Sequence, residues 1–320
     1  MSIRLIDVFT LQERVTFKDL IEPVGQAYKD FSASLAESGL ITMFPGASPD
    51  LGDVYVKTGS VRGGEIFVVK VSPWFALNVA QGQPQGGIIA VFDSKTGYPL
   101  AIIDDKHYLS DIRTAAAGAL AARFLAPDAV RCVALFGTGI QAFWQALALH
   151  HERPFQELVI WGRSETNARE LMRRLSPKLA GVSIRFEPSA EVAVRKADVV
   201  ITVTSAREPI IKGAWLRPGQ HVTAIGADDG TKCELDALCL TRASRLIVDS
   251  RESAKSNGDV GRHLATGAIE TSHIHGEMGE VLSGALAGRS SPMEITVAKF
   301  IGLGAVDLAA AEVALKLTAP

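Results

Sequence analysis

The stretch at residues 131–148, RCVALFGTGIQAFWQALA, constrains the fold more than any other part of this chain. Val133 to Phe136 form a short apolar run that predicts a buried strand, and Gly137-Thr138-Gly139 predicts a tight turn. From Ile140 onward the apolar residues have helical spacing. A strand, a glycine turn and a helix in this order form the first unit of a dinucleotide-binding fold.

The small residues of this stretch have separate roles in such a unit. Gly137 permits the turn, Gly139 lets a pyrophosphate approach the backbone, and Ala142 is the third small position. The free N–H groups at the start of the helix bind the phosphate charge. A G-x-G-x-x-A string alone is a weak signal, but here the strand and the helix that the motif requires flank it. The predicted dinucleotide site therefore comprises Gly137, Thr138, Gly139, Ile140, Gln141 and Ala142.

Strand and helix patterns alternate from residue 131 onward. This alternation predicts a doubly wound parallel sheet of the Rossmann type. The later predicted strands are Leu158–Trp161, Ser183–Phe186, Val199–Val203, Val222–Ile225, Leu246–Val248 and Glu294–Phe300, and a last helix is predicted over Ala305–Leu317.

The part of the chain before Pro127 has a different pattern, and we place a domain boundary close to that residue. Short apolar runs separated by turn residues predict an antiparallel sheet, which a helix rich in small residues follows. The predicted elements are an edge strand over Ile3–Phe9, an amphipathic helix over Thr16–Glu37, a loop over Ile41–Leu51, strands over Val54–Lys57, Glu65–Val71, Gly87–Asp93 and Leu100–Ile103, and a helix over Leu109–Leu125.

Composition argues against several classes of protein. The 320 residues are 47% hydrophobic, with a mean hydropathy of +0.18, which is enough for a sizeable core divided between two domains. The net charge is −2 and the basic residues are scattered, so we expect no nucleic-acid partner and no membrane partner. No signal peptide, membrane span or paired cysteine spacing is visible, which predicts a cytoplasmic protein. His273, His275 and Glu277 lack a supporting ligand pattern, so no metal is expected.

The end of the second strand of the Rossmann-type sheet bears on the choice of cofactor. About twenty residues past the glycine turn, an NAD-preferring site usually places Asp or Glu against the ribose hydroxyls. This chain has Gly162, Arg163 and Ser164 there, and a guanidinium with a hydroxyl suits a 2′-phosphate. An exposed arginine beside a helix-capping serine would give the same sequence, and both roles are compatible. The segment favours NADP(H), with NAD(H) as the alternative.

Two charged residues, Asp228 and Lys70, lie next to or within predicted strands. Asp228 follows the carboxyl end of a predicted parallel strand, where it either faces a ligand or makes a loop turn. Lys70 lies in the apolar run from Ile66 to Ser72. Strand alternation does not decide which face of this run is buried, so Lys70 either is buried with a partner or faces water from an edge strand.

Six strings occur in order along the chain: DIRTAAA from Asp111, GTGIQA from Gly137, GADDGTKCELD from Gly226, EMGEVLSG from Glu277, ITV from Ile295 and GAVDLAA from Gly304. In combination they resemble the ornithine cyclodeaminase/mu-crystallin family. The resemblance extends from about Val54 to Ala311, and the RTAAA and GTGIQA strings together are fairly specific.

The resemblance implies a fold and a class of reaction. It implies an α/β protein with a Rossmann-type NAD(P)-binding domain at residues 127–299. An α+β substrate-binding and dimerisation domain, at residues 1–126 and 300–320, would be completed by the C-terminal helix and would pair in a homodimer. The family's reactions act on the carbon–nitrogen bond of a small α-amino or α-imino acid through a nicotinamide. They include ornithine cyclodeamination, alanine dehydrogenation and reduction of cyclic ketimines.

The resemblance also implies roles for single residues. Arg113 would bind the substrate carboxylate, with Thr114 beside it at the cofactor. Lys70 matches the family lysine that contacts the substrate, and Asp228 matches the acid of the cyclodeaminases and alanine dehydrogenases. These roles fit the chemistry, because Arg113 offers a bidentate fork for a carboxylate. An ionised Asp228 can stabilise an iminium or pass a proton through water.

Two departures from the ornithine cyclodeaminases narrow the expected activity. Those enzymes have an arginine upstream of the lysine; residues 41–57 contain none, so Lys57 is expected to take its place. They also have an acidic residue where Arg163 stands. We therefore predict an NAD(P)H-dependent imine reductase or amino-acid dehydrogenase. The alternatives are an ornithine cyclodeaminase that uses catalytic NAD and a mu-crystallin-like ligand-binding protein. Asp228 argues against the latter, since mu-crystallin has a non-acidic residue there.

Overall fold

The computed structural model describes residues 3–46, 48, 51–83 and 85–319. It divides the chain into one unit of Met1–Ala116 with Leu303–Pro320 and a second unit of Ala117–Gly302. The division therefore falls inside the helix that starts at Tyr108, not beside Pro127. Within the described ranges, no helix is long and apolar enough to cross a membrane.

The helices and strands are numbered in chain order. Those before the second unit's sheet are β1 (Arg4–Asp7), α1 (Val8–Arg14), α2 (Phe17–Ser32), β2 (Ala36–Met43), β3 (Gly52–Val61), β4 (Ile66–Phe75), α3 (Ala76–Ala80), β5 (Ile88–Asp93), β6 (Pro99–Asp104) and α4 (Tyr108–Leu125). The others are β7 (Cys132–Phe136), α5 (Ile140–Glu152), β8 (Glu157–Trp161), α6 (Glu165–Leu175), β9 (Ser183–Phe186), α7 (Ala190–Lys196), β10 (Val199–Thr202), β11 (His221–Ala224), α8 (Ala237–Thr241), β12 (Arg245–Val248), α9 (Arg251–Ser256), α10 (Gly258–Ala265), β13 (Gly276–Glu277), α11 (Met278–Ser283), β14 (Thr296–Lys299) and α12 (Gly304–Leu317).

The first unit is built on a six-stranded sheet with the order β1-β6-β5-β4-β3-β2. Neighbouring strands from β2 to β6 pair antiparallel, as predicted, and β1 pairs parallel with β6. Helices α2 and α12 pack together, and α12 also packs on β3 and β4. The middle of this sheet is therefore covered by the C-terminal helix.

Several predicted boundaries in the first unit are wrong. The helix ends at Ser32, and the segment predicted as helix end and loop instead forms β2 over Ala36–Met43, which pairs with β3. Tertiary pairing with β3 satisfies this backbone, which local helical spacing does not reveal. The edge strand ends at Asp7, whose side chain caps α1 by accepting from the N–H of Thr10. The predicted loop over Ile41–Leu51 also includes residues 47, 49 and 50, which lie outside the described residues.

The second unit is built on an eight-stranded sheet with the order β13-β12-β14-β11-β10-β7-β8-β9. Every strand pair in it is parallel, which confirms the predicted doubly wound sheet. Alternate residues of β7 enter the hydrophobic cores on the two faces, with Ala134 and Phe136 on one and Val133 and Leu135 on the other. The strand order reverses between β7 and β10, and open α/β sheets bind ligands at such a point.

Candidate active site

The surroundings of Gly137 and Gly139 differ on the two sides of the glycine turn after β7. Gly137 has φ 122°, and a Cβ at this position would lie 2.8 Å from the carbonyl oxygen of Val203. Gly139 is exposed, and a Cβ built there would have no described atom within 4 Å. Helix α5 begins at Ile140 with no side-chain cap from the described residues. The turn is therefore closely packed on its inner side and open on the side where the helix N–H groups begin.

The remaining predicted residues of this turn share its neighbourhood. Ala142 is buried, Ile140 is 45% exposed, and Gln141 is half-buried. A Cβ at Gly162, at the end of β8, would lie 2.7 Å from the methyl group of Thr138, so the two strand ends meet closely. The structure thus brings residues 137–142 and residue 162 together within the second unit.

Arg163 and Ser164 follow β8 with different surroundings. The Oγ of Ser164 accepts from the N–H of Asn167 at 3.3 Å and caps α6, while the Arg163 side chain is exposed. The capping role considered for Ser164 is therefore confirmed. Because Arg163 is exposed, its guanidinium is accessible to a charged ligand.

Asp228 lies in the loop after β11 and is half-buried. Its Oδ1 is 2.7 Å from the Nζ of Lys232. The turn contacts of this loop are made by Asp229, whose Oδ1 accepts from the N–H and hydroxyl of Thr231 at 2.6 and 2.7 Å. Burial raises the pKa of Asp229, but Lys232 and Thr231 outweigh it and lower that pKa to about 2. The turn-forming role that the sequence allowed for Asp228 is thus performed by its neighbour Asp229.

Glu234, which the sequence reasoning missed, holds the loop of Asp228 in place. Its Oε1 accepts from the N–H and hydroxyl of Thr204 at 2.6 and 2.8 Å. Its Oε2 accepts from the hydroxyl of Thr202 and the N–H of Gly226 at 2.8 Å each, and from the N–H of Ala227 at 3.2 Å. The carboxylate is fully buried, so these bonds replace its hydration. Glu234 therefore ties the end of β10 to the loop that carries Asp228.

A buried ion pair lies beside Glu234. The Oδ1 of Asp259 accepts from the N–H of Glu234 at 2.5 Å, and the Nζ of Lys299 is 3.2 Å from the Asp259 Oδ2. All three side chains are fully buried. Burial and the Asp259 charge raise the pKa of Glu234, whereas Lys299 lowers it. The string GADDGTKCELD, which begins at Gly226 and contains Glu234, is visible in the sequence. No spacing rule shows, however, that the backbone partners of Glu234 lie together in space.

The first unit contains a buried cluster of cations. Lys57 and Lys70 are directly opposite on β3 and β4 and are 7% and 2% exposed. Like charges in this arrangement repel each other, so they require an anion. Because β4 is an interior strand and Lys70 shares its buried face with Val68 and Ser72, the edge-strand alternative is wrong.

The anion is Asp307, a second residue that sequence reasoning did not single out. Its Oδ1 is 2.8 Å from the Nζ of Lys70 and 2.9 Å from the Nε of Arg113. Asp307 is 1% exposed and lies in the first turn of α12, where the helix dipole favours a negative charge. Added Cβ atoms would overlap the facing backbone at both Gly59 and Gly304, so these glycines permit the close approach of α12 to β3.

Charges and burial set the protonation states in this cluster. Burial raises the pKa of Asp307, but Arg113, Lys70 and Lys57 outweigh it and hold the pKa well below its ordinary value. Burial lowers the pKa of Lys70, and Asp307 opposes that shift. An ionised Asp307 therefore helps to keep Lys70 charged.

The other predicted positions have structural partners. The hydroxyl of Thr114 donates to the carbonyl oxygen of Ser110 at 2.7 Å, one turn earlier in α4. The Nδ1 of His275 accepts from the N–H of Leu246 at 3.1 Å, and the Nδ1 of His273 contacts the backbone of Glu270. In the described part of the chain, no three His, Cys, Asp or Glu side chains are grouped to hold a metal ion.

Comparisons with known proteins agree with this architecture. The model of the ornithine cyclodeaminase/mu-crystallin family matches residues 9–316. The ketimine reductase mu-crystallin of Rattus norvegicus is 37% identical over 225 residues, 70% of this chain and 67% of that protein.

Two solved structures share the fold over nearly their whole lengths. The Thermococcus litoralis Δ(1)-pyrroline-2-carboxylate reductase, in complex with NADH and L-proline, has a TM-score of 0.92 and 29% identity over 98% of this chain and 97% of that chain. An archaeal alanine dehydrogenase dimer with bound NAD has a TM-score of 0.90 and 28% identity over 99% and 96%. The strings from Asp111 to Gly304, the doubly wound sheet and these comparisons together place the chain in the ornithine cyclodeaminase/mu-crystallin family.

Proposed function

We propose that this protein is an NAD(P)H-dependent oxidoreductase that reduces the C=N bond of a small α-imino acid, or oxidises the corresponding α-amino acid. The observation that carries this proposal is the buried pair of Lys70 and Arg113, both bound to one oxygen of Asp307. Relatives named as a pyrroline-2-carboxylate reductase, a ketimine reductase and an alanine dehydrogenase support this class of substrate.

Lys70 and Arg113 bind the substrate carboxylate in this proposal, with Lys57 beside them. Asp307 fixes both side chains before the substrate arrives, so little side-chain entropy is lost on binding. A guanidinium and an ammonium in a buried site give charge-assisted hydrogen bonds to a carboxylate. The α-carbon next to that carboxylate is thereby held in one orientation, as hydride transfer requires.

The glycine turn, residues 137–142, and Gly162 would hold the dinucleotide. Its fit rests on the open side of Gly139 and the uncapped start of α5, which offers N–H groups to phosphate. The bound nicotinamide supplies or accepts the hydride. The exposed guanidinium of Arg163 and the hydroxyl of Ser164 would bind a 2′-phosphate, which favours NADP(H) over NAD(H).

Asp228 is the residue that stabilises the iminium or transfers a proton in this proposal. Lys232 binds its Oδ1, which leaves the Oδ2 to stabilise an iminium or to pass a proton through water. We expect Asp228→Asn to abolish turnover while the affinity for NADPH, measured by fluorescence titration, changes little, because the glycine turn is intact. A loss of NADPH affinity as large as the loss of turnover would exclude this role.

The proposal is tested by following nicotinamide absorbance with purified protein, NADPH or NADH, and cyclic imines such as pyrroline-2-carboxylate, or pyruvate with ammonium. We expect oxidation of NADPH on a cyclic imine. Ammonia released from ornithine with catalytic NAD, without oxidation of NADPH on any imine, would instead establish a cyclodeaminase. Saturable ligand binding without turnover would indicate a binding protein.

We also propose that the protein forms a homodimer through its first unit. Large apolar side chains are exposed on that unit, and such surface commonly marks an interface. Those more than half exposed include Leu5, Phe9, Ile41, Leu77 and Val79. Light scattering after size-exclusion chromatography would give twice the chain mass; a monomeric mass at micromolar concentration would exclude the proposal.

A further inference from the structure

The turn between β6 and α4 has an unusual backbone. Lys106 has φ 43° and His107 has φ 71°, and the N–H of Tyr108 donates to the carbonyl oxygen of Asp105 at 2.8 Å. Positive φ at both central residues of such a turn is typical of type I′, for which Asn and Gly are strongly favoured. Positive φ is uncommon for residues with a Cβ, and backbone strain of this kind clusters at functional sites.

The imidazole of His107 is held in one tautomer. Its Nε2 lies 3.0 Å from the carbonyl oxygen of Pro73 and 3.1 Å from the Oγ of Ser72. A carbonyl oxygen can only accept, so Nε2 carries the proton and Nδ1 has a lone pair. Burial lowers the pKa of His107 to about 4, and Lys70 acts in the same direction, so the ring is neutral. No described residue donates a hydrogen bond to this Nδ1.

His107 lies beside the buried cations. Ser72, which contacts its ring, is two residues after Lys70 on the same face of β4. Asp105, at the start of the turn, is buried and accepts from the N–H of Leu109 at 3.1 Å, which fixes the turn to the start of α4. Arg113 lies further along that helix. The ring of His107 thus lies close enough to Lys70 and Arg113 for both charges to lower its pKa, and these two cations would bind a carboxylate.

We propose that the Nδ1 of His107 accepts a hydrogen bond from the N–H of the substrate nitrogen, and that the strained turn places the ring for this contact. The inference rests on the proposed function, because an α-imino or α-amino acid carries its nitrogen one carbon from the carboxylate. The contact would distinguish nitrogen-bearing substrates from 2-oxo acids, which have no N–H to donate.

Two glycine variants separate this role from a structural one. His107→Gly relieves the turn and removes the acceptor, whereas Lys106→Gly relieves the same turn at an exposed position. We expect Lys106→Gly to raise the Tm without changing kcat/KM. His107→Gly also loses the contacts of Nε2 with Pro73 and Ser72, so its Tm should lie near or below that of the wild type, while kcat/KM falls about 10-fold, as loss of one substrate hydrogen bond predicts. Unchanged kcat/KM in His107→Gly, or a loss that matches its unfolded fraction, would overturn the inference.

A matched pair of ligands tests the contact without turnover. Pyrrole-2-carboxylate and furan-2-carboxylate have nearly the same shape, but pyrrole-2-carboxylate alone has an N–H. Calorimetry with NADP+ present should show about 10-fold tighter binding of the pyrrole by the wild type and a much smaller preference in His107→Gly. A preference that persists in His107→Gly and disappears in Asp228→Asn would assign the contact to Asp228 and overturn the inference. If the preference for the pyrrole depends on His107 but no imine is turned over, only the proposed function is refuted.

Discussion

Asp307→Asn tests how the buried cations are held. The Oδ1 of Asp307 binds Lys70 and Arg113 at 2.8 and 2.9 Å, so two charge-assisted hydrogen bonds depend on one carboxylate. An amide oxygen can still accept both, but bonds worth roughly 1.5–3 kcal/mol each become neutral ones worth roughly 0.5–1.5. The free energy of unfolding should therefore fall by about 2–3 kcal/mol, less than the ~3–5 kcal/mol for removing one partner of a buried pair entirely.

The pH dependence of this loss has a definite sign. The pKa of Asp307 in the folded protein lies below its ordinary value of 3.8, so its carboxylate stabilises the fold above that pH. That contribution disappears as the pH falls through the folded-state pKa. Denaturant titrations should therefore show a constant difference between wild type and Asp307→Asn from about pH 8 to 5, and a shrinking difference below about pH 4.

Activity adds a second measurement of the same change. Burial lowers the pKa of Lys70, and the Asp307 charge opposes that shift. Without this charge the pKa of Lys70 falls further, so a smaller fraction of Lys70 is ionised. KM for the imino acid should rise in the variant and should rise further as the pH increases above about 8. Asp104→Asn, which removes a charge from an exposed position, is the matched control. If Asp307→Asn has the same free energy of unfolding and the same KM as the wild type, the reasoning is refuted.

Three further changes test the second unit. Glu234→Gln leaves at least one backbone N–H among its partners without an acceptor. We therefore expect a lower kcat and faster hydrogen exchange at Gly226, with unchanged affinity for NADPH. Unaltered exchange would contradict the assigned contacts. Arg163→Glu should lower kcat/KM for NADPH at least about 10-fold and spare NADH; an unchanged ratio of the two would exclude the 2′-phosphate contact. Gly137→Ala should abolish dinucleotide binding, because its Cβ would lie 2.8 Å from a carbonyl oxygen, whereas Gly181→Ala, at φ 84° in open space, should lose stability alone.

Local pattern was sufficient where an element is defined by its own residues. The apolar run before Gly137 and the turn after it predicted β7 and α5, and their alternation with later elements predicted the parallel sheet. Pattern failed at β2, because its backbone is satisfied by β3 and not by neighbouring residues. It also left the surroundings of Lys70 open, since both faces of its strand are apolar in the sequence.

The sequence by itself determined the fold class, the unit of strand, glycine turn and helix, and the family, because these depend on short strings and on the spacing of apolar residues. Only the tertiary structure decided what surrounds the charged groups. Lys70 and Asp307 are 237 residues apart in the chain and 2.8 Å apart in space. Ion pairs, tautomers and hydrogen-bond partners of this kind depend on which elements pack together, and no periodicity within one element specifies them.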